Sequence, residues 1–207
     1  MQDQHPADRV ARSLRAGLRI SVVSVIWTVA AGATAVAIGV AGGSLVLAAF
    51  GAIGLLDGAG SATLVVHFRH ALRHEAISER RERIALLVIT IGMVVVGVAT
   101  AADSAYRLAE RAGADSLPPG IVLAGVSVAV LARLAVRKRQ IARLIPSHAL
   151  HADGWLSATG AVLALFTVVG TGLNAAFGWW WLDPAAATVV ASGAIVLGIG
   201  LAHAERV

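Results

Sequence analysis

The chain has 207 residues, of which 57% are hydrophobic and 14% are charged, and its mean hydropathy is +0.79. Soluble domains carry about 25% charged residues, so this composition excludes an ordinary soluble globular protein. The formal net charge of +5 suggests nucleic-acid binding at first, and the absence of cysteine excludes disulfides and thiolate metal sites.

Six apolar segments follow one another along the chain, each long enough to cross a bilayer as an α-helix. They run over residues 18–40, 44–66, 84–104, 118–136, 150–173 and 180–203. Continuous runs rather than alternation favour helices over a barrel. We therefore predict an all-α polytopic membrane protein, with a six-helix transmembrane domain at 18–203, an N-terminal arm at 1–17 and a C-terminal end at 204–207.

The connections between these segments carry turn signals and basic residues. A Gly42-Gly43 turn separates the first two segments, Pro118-Pro119 opens the fourth, and residues 172–182 link the last two. The arm, the loop after segment two, the loop after segment four and the C-terminus hold 15 of the 17 basic residues. The positive-inside rule then predicts that both termini are cytoplasmic, so nucleic acid is not needed to explain the charge.

Asp57 is the most informative residue, because it lies in the middle of the second apolar segment. A charge near the membrane midplane costs on the order of a few kcal/mol unless it has a partner or faces a polar cavity. Such residues usually serve transport, proton relay or coordination. The alternative is a carboxyl group that hydrogen-bonds a neighbouring helix. Ser61, one turn later, shares its helix face and is either a proton-relay partner of Asp57 or a packing residue.

Four stretches carry a family resemblance: LRISVVSVIWTVAAG, VAGGSLVLAAFGAIGLLDGAGS, HALHADGWLSATGAV and FGWWWLDPAAATVVAS. They resemble spans one, two, five and six of the cation diffusion facilitator (cation efflux) family, in a short bacterial form that ends after six spans without the cytoplasmic C-terminal domain. The resemblance implies a homodimer in the bacterial plasma (inner) membrane that exports a divalent cation, such as Zn, Mn, Fe, Co or Mg, against protons. It implies no permanently bound cofactor.

The family's transport site uses acidic or imidazole residues one turn apart on spans two and five. Asp57 matches it on span two, but its partner position is Ile53, and the span-five pair falls on Leu156 and Gly160. Those three residues have no side-chain ligand for a metal ion. Asp153 lies one turn nearer the cytoplasmic end.

Two further groups are candidate metal sites. His148, His151 and Asp153 begin the fifth segment and predict a cation entry site, with an N-terminal capping cluster as the alternative. His67, His70 and His74 share one helix face beyond span two and predict a second cytoplasmic metal site. The alternative there is a solvated helix end.

Two acids outside these groups have structural interpretations. Asp103 is expected to form a local ion pair with Arg107 on the outer side, and Asp183 is expected to cap the sixth helix ahead of Pro184. Neither is predicted to bind a metal ion.

Two functions from different classes follow. The first is a proton-coupled secondary transporter of a divalent metal cation, since no phosphate-binding loop for direct ATP drive is present. The second is a transport-inactive relative that serves as a membrane scaffold or partner subunit, for which Ile53, Leu156 and Gly160 argue. No nucleophile–base pair or HExxH pattern occurs in the sequence, so an enzyme is not predicted.

Overall fold

The computed structural model confirms the all-α prediction, and it describes residues 6–73, 79–112, 118–144 and 148–204. Within those ranges every regular element is a helix. The helices are α1 (Pro6–Ala41), α2 (Leu45–Arg73), α3 (Glu79–Glu110), α4 (Pro118–Leu144), α5 (His148–Phe177) and α6 (Leu182–Ala204).

All six helices contain a stretch long and apolar enough to cross a membrane. Those stretches are Arg12–Ala41, Leu45–His70, Thr90–Glu110, Pro118–Leu144, Asp153–Phe177 and Leu182–Gly200. Apolar side chains are exposed on every helix, whereas many serines and threonines are buried. This distribution suits a protein whose outer surface contacts lipid and whose polar groups face inward, so the chain is a multi-pass membrane protein.

The helices extend beyond several of the predicted apolar segments. Helix α1 already begins at Pro6, within the predicted arm, and the spanning stretch of α3 lies later than the predicted 84–104. Helix α5 continues past residue 173 to Phe177, so the predicted 172–182 link is shorter than expected. Residues 174–177 contain no helix breaker, and the helix ends only where Gly178 adopts a φ of +65°.

The helices associate as three close pairs, α1 with α2, α4 with α5, and α3 with α6. Small residues permit the close approach. A Cβ on Gly51 of α2 would lie 2.6 Å from the carbonyl oxygen of Gly32 on α1, and a Cβ on Gly97 of α3 would lie 2.6 Å from Ile195 on α6. The first two pairs join sequence neighbours, whereas the third joins helices that are far apart in the chain.

Polar contacts add to the α3–α6 pair. The hydroxyl of Ser104 on α3 donates to the carbonyl oxygen of Pro184 and lies 2.7 Å from the hydroxyl of Thr188, both on α6. Inside a membrane, interhelical hydrogen bonds of this kind contribute about 1 kcal/mol each.

Asp183 caps a helix other than the predicted one. Its carboxylate accepts hydrogen bonds from the Ser44 hydroxyl at 2.5 Å and from the Leu45 amide at 2.8 Å, with the Val46 amide at 3.4 Å. These amides belong to the first turn of α2, so the prediction of an α6 cap is wrong. The side chain reaches across to α2 because Asp183 is already inside the first turn of α6.

The predicted pair between Asp103 and Arg107 is confirmed, at 3.0 Å between Oδ2 and Nε. Arg107 also donates from Nη1 to the carbonyl oxygen of Gly43, at 2.6 Å. The α1–α2 turn is thereby attached to α3, at the same end where Asp183 attaches α2 to α6.

We expect Asp183→Ala to lower the free energy of unfolding by about 2 kcal/mol, because it leaves buried donors of α2 unsatisfied. The matched control is Asp103→Ala, which removes a partly exposed ion pair and should cost less than about 1 kcal/mol. Thermal unfolding of both variants in detergent measures the difference. Equal melting temperatures would contradict the assigned cap.

Candidate functional site

Asp57 borders a partly open cavity in the middle of the bundle. The residue is the midpoint of the Leu45–His70 spanning stretch, and the cavity has a volume of about 30 Å³. A space of that size has room for one or two water molecules. The wall is mostly apolar, with hydroxyl groups from Thr28 and Ser127.

The positions of the family site meet at this cavity. Ile53 and Asp57 of α2 line it together with Leu156 and Gly160 of α5. The geometry therefore brings together the four positions that the resemblance singles out, but Asp57 is the one ionisable side chain among them. A four-ligand metal site does not form from these residues, because the other three contribute apolar groups or no side chain.

The carboxylate of Asp57 has an unsatisfied oxygen. Its Oδ1 atom is buried and has no hydrogen-bond partner among the described residues, although the residue as a whole is partly accessible where it borders the cavity. An unpaired buried carboxylate oxygen is costly, and native structures retain few of them. Asp57 is thus placed to accept a proton or a cation from the cavity.

The shared helix face suggested that Ser61 would pair with Asp57, but Ser61 has other partners. Its hydroxyl donates to Oδ1 of Asp153 at 3.0 Å and lies 3.2 Å from the Ser24 hydroxyl of α1. The interhelical partners outcompete the neighbour on the same helix because both lie in the buried interface between α1, α2 and α5.

Lys138 is the centre of the polar interior. The side chain is fully buried, and Nζ lies 2.6 Å from Oδ2 of Asp153. Nζ also donates to the hydroxyls of Ser24 at 2.7 Å, Ser157 at 2.9 Å and Ser61 at 3.3 Å. These five residues, the Lys138 cluster, join α1, α2, α4 and α5 through one ammonium group.

Sequence analysis missed Lys138, because it was counted with the basic loop residues that set the topology. Two signals mark it. The chain has 16 arginines and this single lysine. Lys138 also continues the buried stripe of α4, which includes Leu131 and Leu134 at helical spacing. Its arginine neighbours Arg137 and Arg139 point away from that stripe and are less buried.

Of the entry site predicted at the start of α5, the structure describes Asp153 and His151, whose side chains lie in different surroundings. Asp153 is only 4% exposed and faces Lys138, whereas His151 is exposed and its Nε2 accepts a hydrogen bond from Trp155 at 3.2 Å. The side chain of His148 lies outside the described residues. Asp153 is thus held inside the bundle by the buried ammonium, and it is not a helix cap, because α5 already begins at His148.

In the described ranges, neither His67 nor His70 belongs to a group of three His, Cys, Asp or Glu side chains that could hold a metal ion. Nδ1 of His67 is buried without a hydrogen bond and the ring packs edge-on against Phe68, at 5.7 Å between centroids. Nδ1 of His70 lies 2.9 Å from the Val66 carbonyl oxygen. His74 lies outside the described residues.

Three layers succeed one another toward the basic end of the bundle. The Asp57 cavity comes first, and the Lys138 cluster lies about one helical turn farther. An apolar cluster forms the third layer. The last layer consists of Leu64, Phe68, Ala142 and Leu150. A Cβ on Gly17 would touch the Phe68 ring at 3.0 Å, so α1 packs closely against this layer. The polar interior is covered on this side by apolar side chains.

No protein-family model matches the chain, and no curated protein matches it. Membership in the cation efflux family therefore stays a proposal that depends on the quoted segments.

Proposed function

We propose that this protein is a proton-coupled secondary transporter of cations, with a transmembrane domain of the cation efflux type. The observation that carries the proposal is the buried, unpartnered carboxylate oxygen of Asp57 at the edge of a midmembrane cavity. A buried carboxylate in that position marks an ion or proton pathway in membrane proteins. Rocking of helix pairs around a fixed midplane site would alternate its access to the two sides.

The test is cation flux into proteoliposomes that contain the purified full-length chain. The resemblance gives divalent metal ions as the first cargo to measure, with a panel of Zn, Mn, Fe, Co and Mg, alongside monovalent ions and an internal pH dye. Cation entry coupled to proton movement supports the proposal. Absence of flux for every cation in the panel, in vesicles shown to contain folded protein, overturns it.

The scaffold or partner-subunit function is the second candidate, and one observation favours it. The ammonium of Lys138 already contacts Asp153 and three serines. The Lys138 cluster is therefore closed to an external cation. Under this function Asp57 would fix helix packing, and no cation would cross the membrane.

For the membrane setting, we propose a bacterial plasma (inner) membrane protein with both termini in the cytoplasm, because 15 of the 17 basic residues fall in the N-terminal arm, the loops after α2 and α4 and the C-terminal end. Trp179 and Trp181 stack at the opposite end, with centroids 6.1 Å apart, where indole rings suit the headgroup region.

We expect single cysteines at Trp179 and at Arg80 to be labelled from opposite sides of the membrane. The native chain contains no cysteine, so each variant carries one reactive thiol. Impermeant maleimide added to intact cells should modify Trp179→Cys, and Arg80→Cys should react only after the cells are opened. Labelling of both thiols from the same side would contradict the topology.

We also expect a homodimer, since exposed small and apolar residues on the helix surfaces allow a second copy to pack closely. Mass measurement in mild detergent distinguishes the states: a dimer mass is expected, and a monomer at every protein concentration would refute it.

A further inference from the structure

An open groove between α1 and α4 is lined by four arginines and has a volume of about 800 Å³. Arg12, Arg15 and Arg19 stand on one face of α1, at i, i+3 and i+7, and Arg137 of α4 completes the set. The other lining residues are alanine, isoleucine and valine, so no acidic side chain lines this arginine groove. A concave surface with charges of one sign concentrates a positive potential and attracts anions.

The guanidinium groups of the groove are available to a ligand. Arg15, Arg19 and Arg137 are exposed, and none of them forms an ion pair with another described residue. The positive-inside rule explains why arginines are frequent in this part of the chain. It does not require that arginines from two helices converge on one groove.

The groove lies at the depth where the hydrocarbon of a bilayer ends. At about 1.5 Å of rise per residue, Arg19 lies about 33 Å along α1 from the C-terminal end of that helix, and Arg137 lies about 29 Å along α4 from its N-terminal end. Those two ends are level with each other, because a Cβ on Gly120 of α4 would lie 3.3 Å from the side chain of Ile38 on α1. The hydrocarbon core is about 30 Å thick, so the arginines reach the layer of lipid phosphates.

An apolar surface continues from the groove toward the middle of the membrane. Ile20 and Ile141 line the groove and pack against the apolar third layer of the bundle. Val23, at the inner edge of the groove, is 52% exposed, and Ile26 and Val29 extend the same exposed strip along α1. The groove therefore joins a basic end to an apolar track, which matches a molecule with an anionic head and hydrocarbon chains.

We propose that the arginine groove binds an anionic phospholipid, with the phosphate between Arg15, Arg19 and Arg137 and the acyl chains along the exposed strip of α1. Guanidinium groups bind phosphate oxygens through paired, charge-assisted hydrogen bonds. Basic pockets between transmembrane helices at a membrane surface bind anionic headgroups in this way. A zwitterionic lipid has a cation in its own headgroup, which weakens its attraction to the groove. The inference goes beyond the transport function and does not depend on it.

The experiment is native mass spectrometry of the full-length protein, released from detergent after titration with phosphatidylglycerol or with phosphatidylcholine of the same acyl chains. The first phosphatidylglycerol should bind at least about tenfold more tightly than the first phosphatidylcholine. The triple variant Arg15→Gln, Arg19→Gln and Arg137→Gln should lose this preference, because the amides can donate hydrogen bonds but carry no charge. Equal affinity of the wild type for the two lipids would overturn the proposal.

The matched control is the triple variant Arg69→Gln, Arg73→Gln and Arg143→Gln. It removes the same total charge from exposed positions that do not line the groove. The control should keep the wild-type preference for phosphatidylglycerol, and both triple variants should melt at the wild-type temperature, since all six side chains are exposed. An equal loss of preference in the two variants would show that net charge alone attracts the lipid, which contradicts a site in the groove.

A competition separates a lipid from a soluble phosphate compound. Glycerol 3-phosphate offers the same phosphate without acyl chains, so a hundredfold excess over phosphatidylglycerol should leave the bound lipid in place. Displacement by an equimolar amount would assign the groove to a soluble anion and overturn the lipid assignment. None of these results depends on cation flux: specific lipid binding by a protein that transports no cation supports this inference and leaves the transport proposal refuted.

Discussion

Lys138→Met is expected to lower the free energy of unfolding by about 3–5 kcal/mol, the range measured when one partner of a buried ion pair is removed. The methionine fills a similar volume but leaves the carboxylate of Asp153, which is 4% exposed, without its counter-charge. It also removes the donor shared by three serines on three helices. Thermal unfolding in detergent, followed by circular dichroism, measures the loss.

The double variant Lys138→Met with Asp153→Asn is the control for this effect. Replacing both charges by neutral groups of similar shape should recover most of the stability, to within about 1 kcal/mol of the wild type, because no unpaired charge is left. A double variant as unstable as Lys138→Met would show that packing, and not charge pairing, accounts for the loss. A fully stable Lys138→Met would contradict the buried ion pair itself.

Asp57→Asn is expected to lower cation-coupled proton flux at least about 100-fold, while the protein stays folded. The amide keeps the size of the side chain and can hydrogen-bond, but it neither binds a proton nor carries a negative charge. Because the variant removes a buried, unpaired carboxylate oxygen, its melting temperature should equal or exceed that of the wild type.

The control is Asp103→Asn, the same chemical change in a partly exposed ion pair near the C-terminal end of α3. It should transport at the wild-type rate. Wild-type flux in Asp57→Asn would refute the midplane site, and loss of flux in both variants would point to a defect in folding or insertion rather than in the site.

The sequence predicts the fold well because the signals for membrane helices are local. Each span is long enough and apolar enough to be recognised alone, and a carboxylate in the middle of one of them, Asp57, identifies the cavity layer. The positions of Ile53, Leu156 and Gly160 around that cavity also follow from helical spacing once α2 and α5 are placed side by side.

The partners of the polar groups could not be predicted in this way. Asp183 caps α2 and Ser61 bonds to Asp153, and both contacts join residues far apart in sequence. Lys138 lies among arginines whose charge indicates topology, and only its place on the buried stripe of α4 separates it from them. Local patterns state which groups need partners, whereas the packing of distant helices decides which partners they obtain.

The α3–α6 pair has a consequence for biosynthesis. Helix α3 has the lowest hydropathy of the six spanning stretches, 1.3, and it packs most closely against a helix that the ribosome makes much later. Its polar Ser104 and its close-contact surface at Gly97 are therefore without their partners while α4 and α5 are being synthesised. The packing contacts of α3 are therefore completed only once α6 has been made.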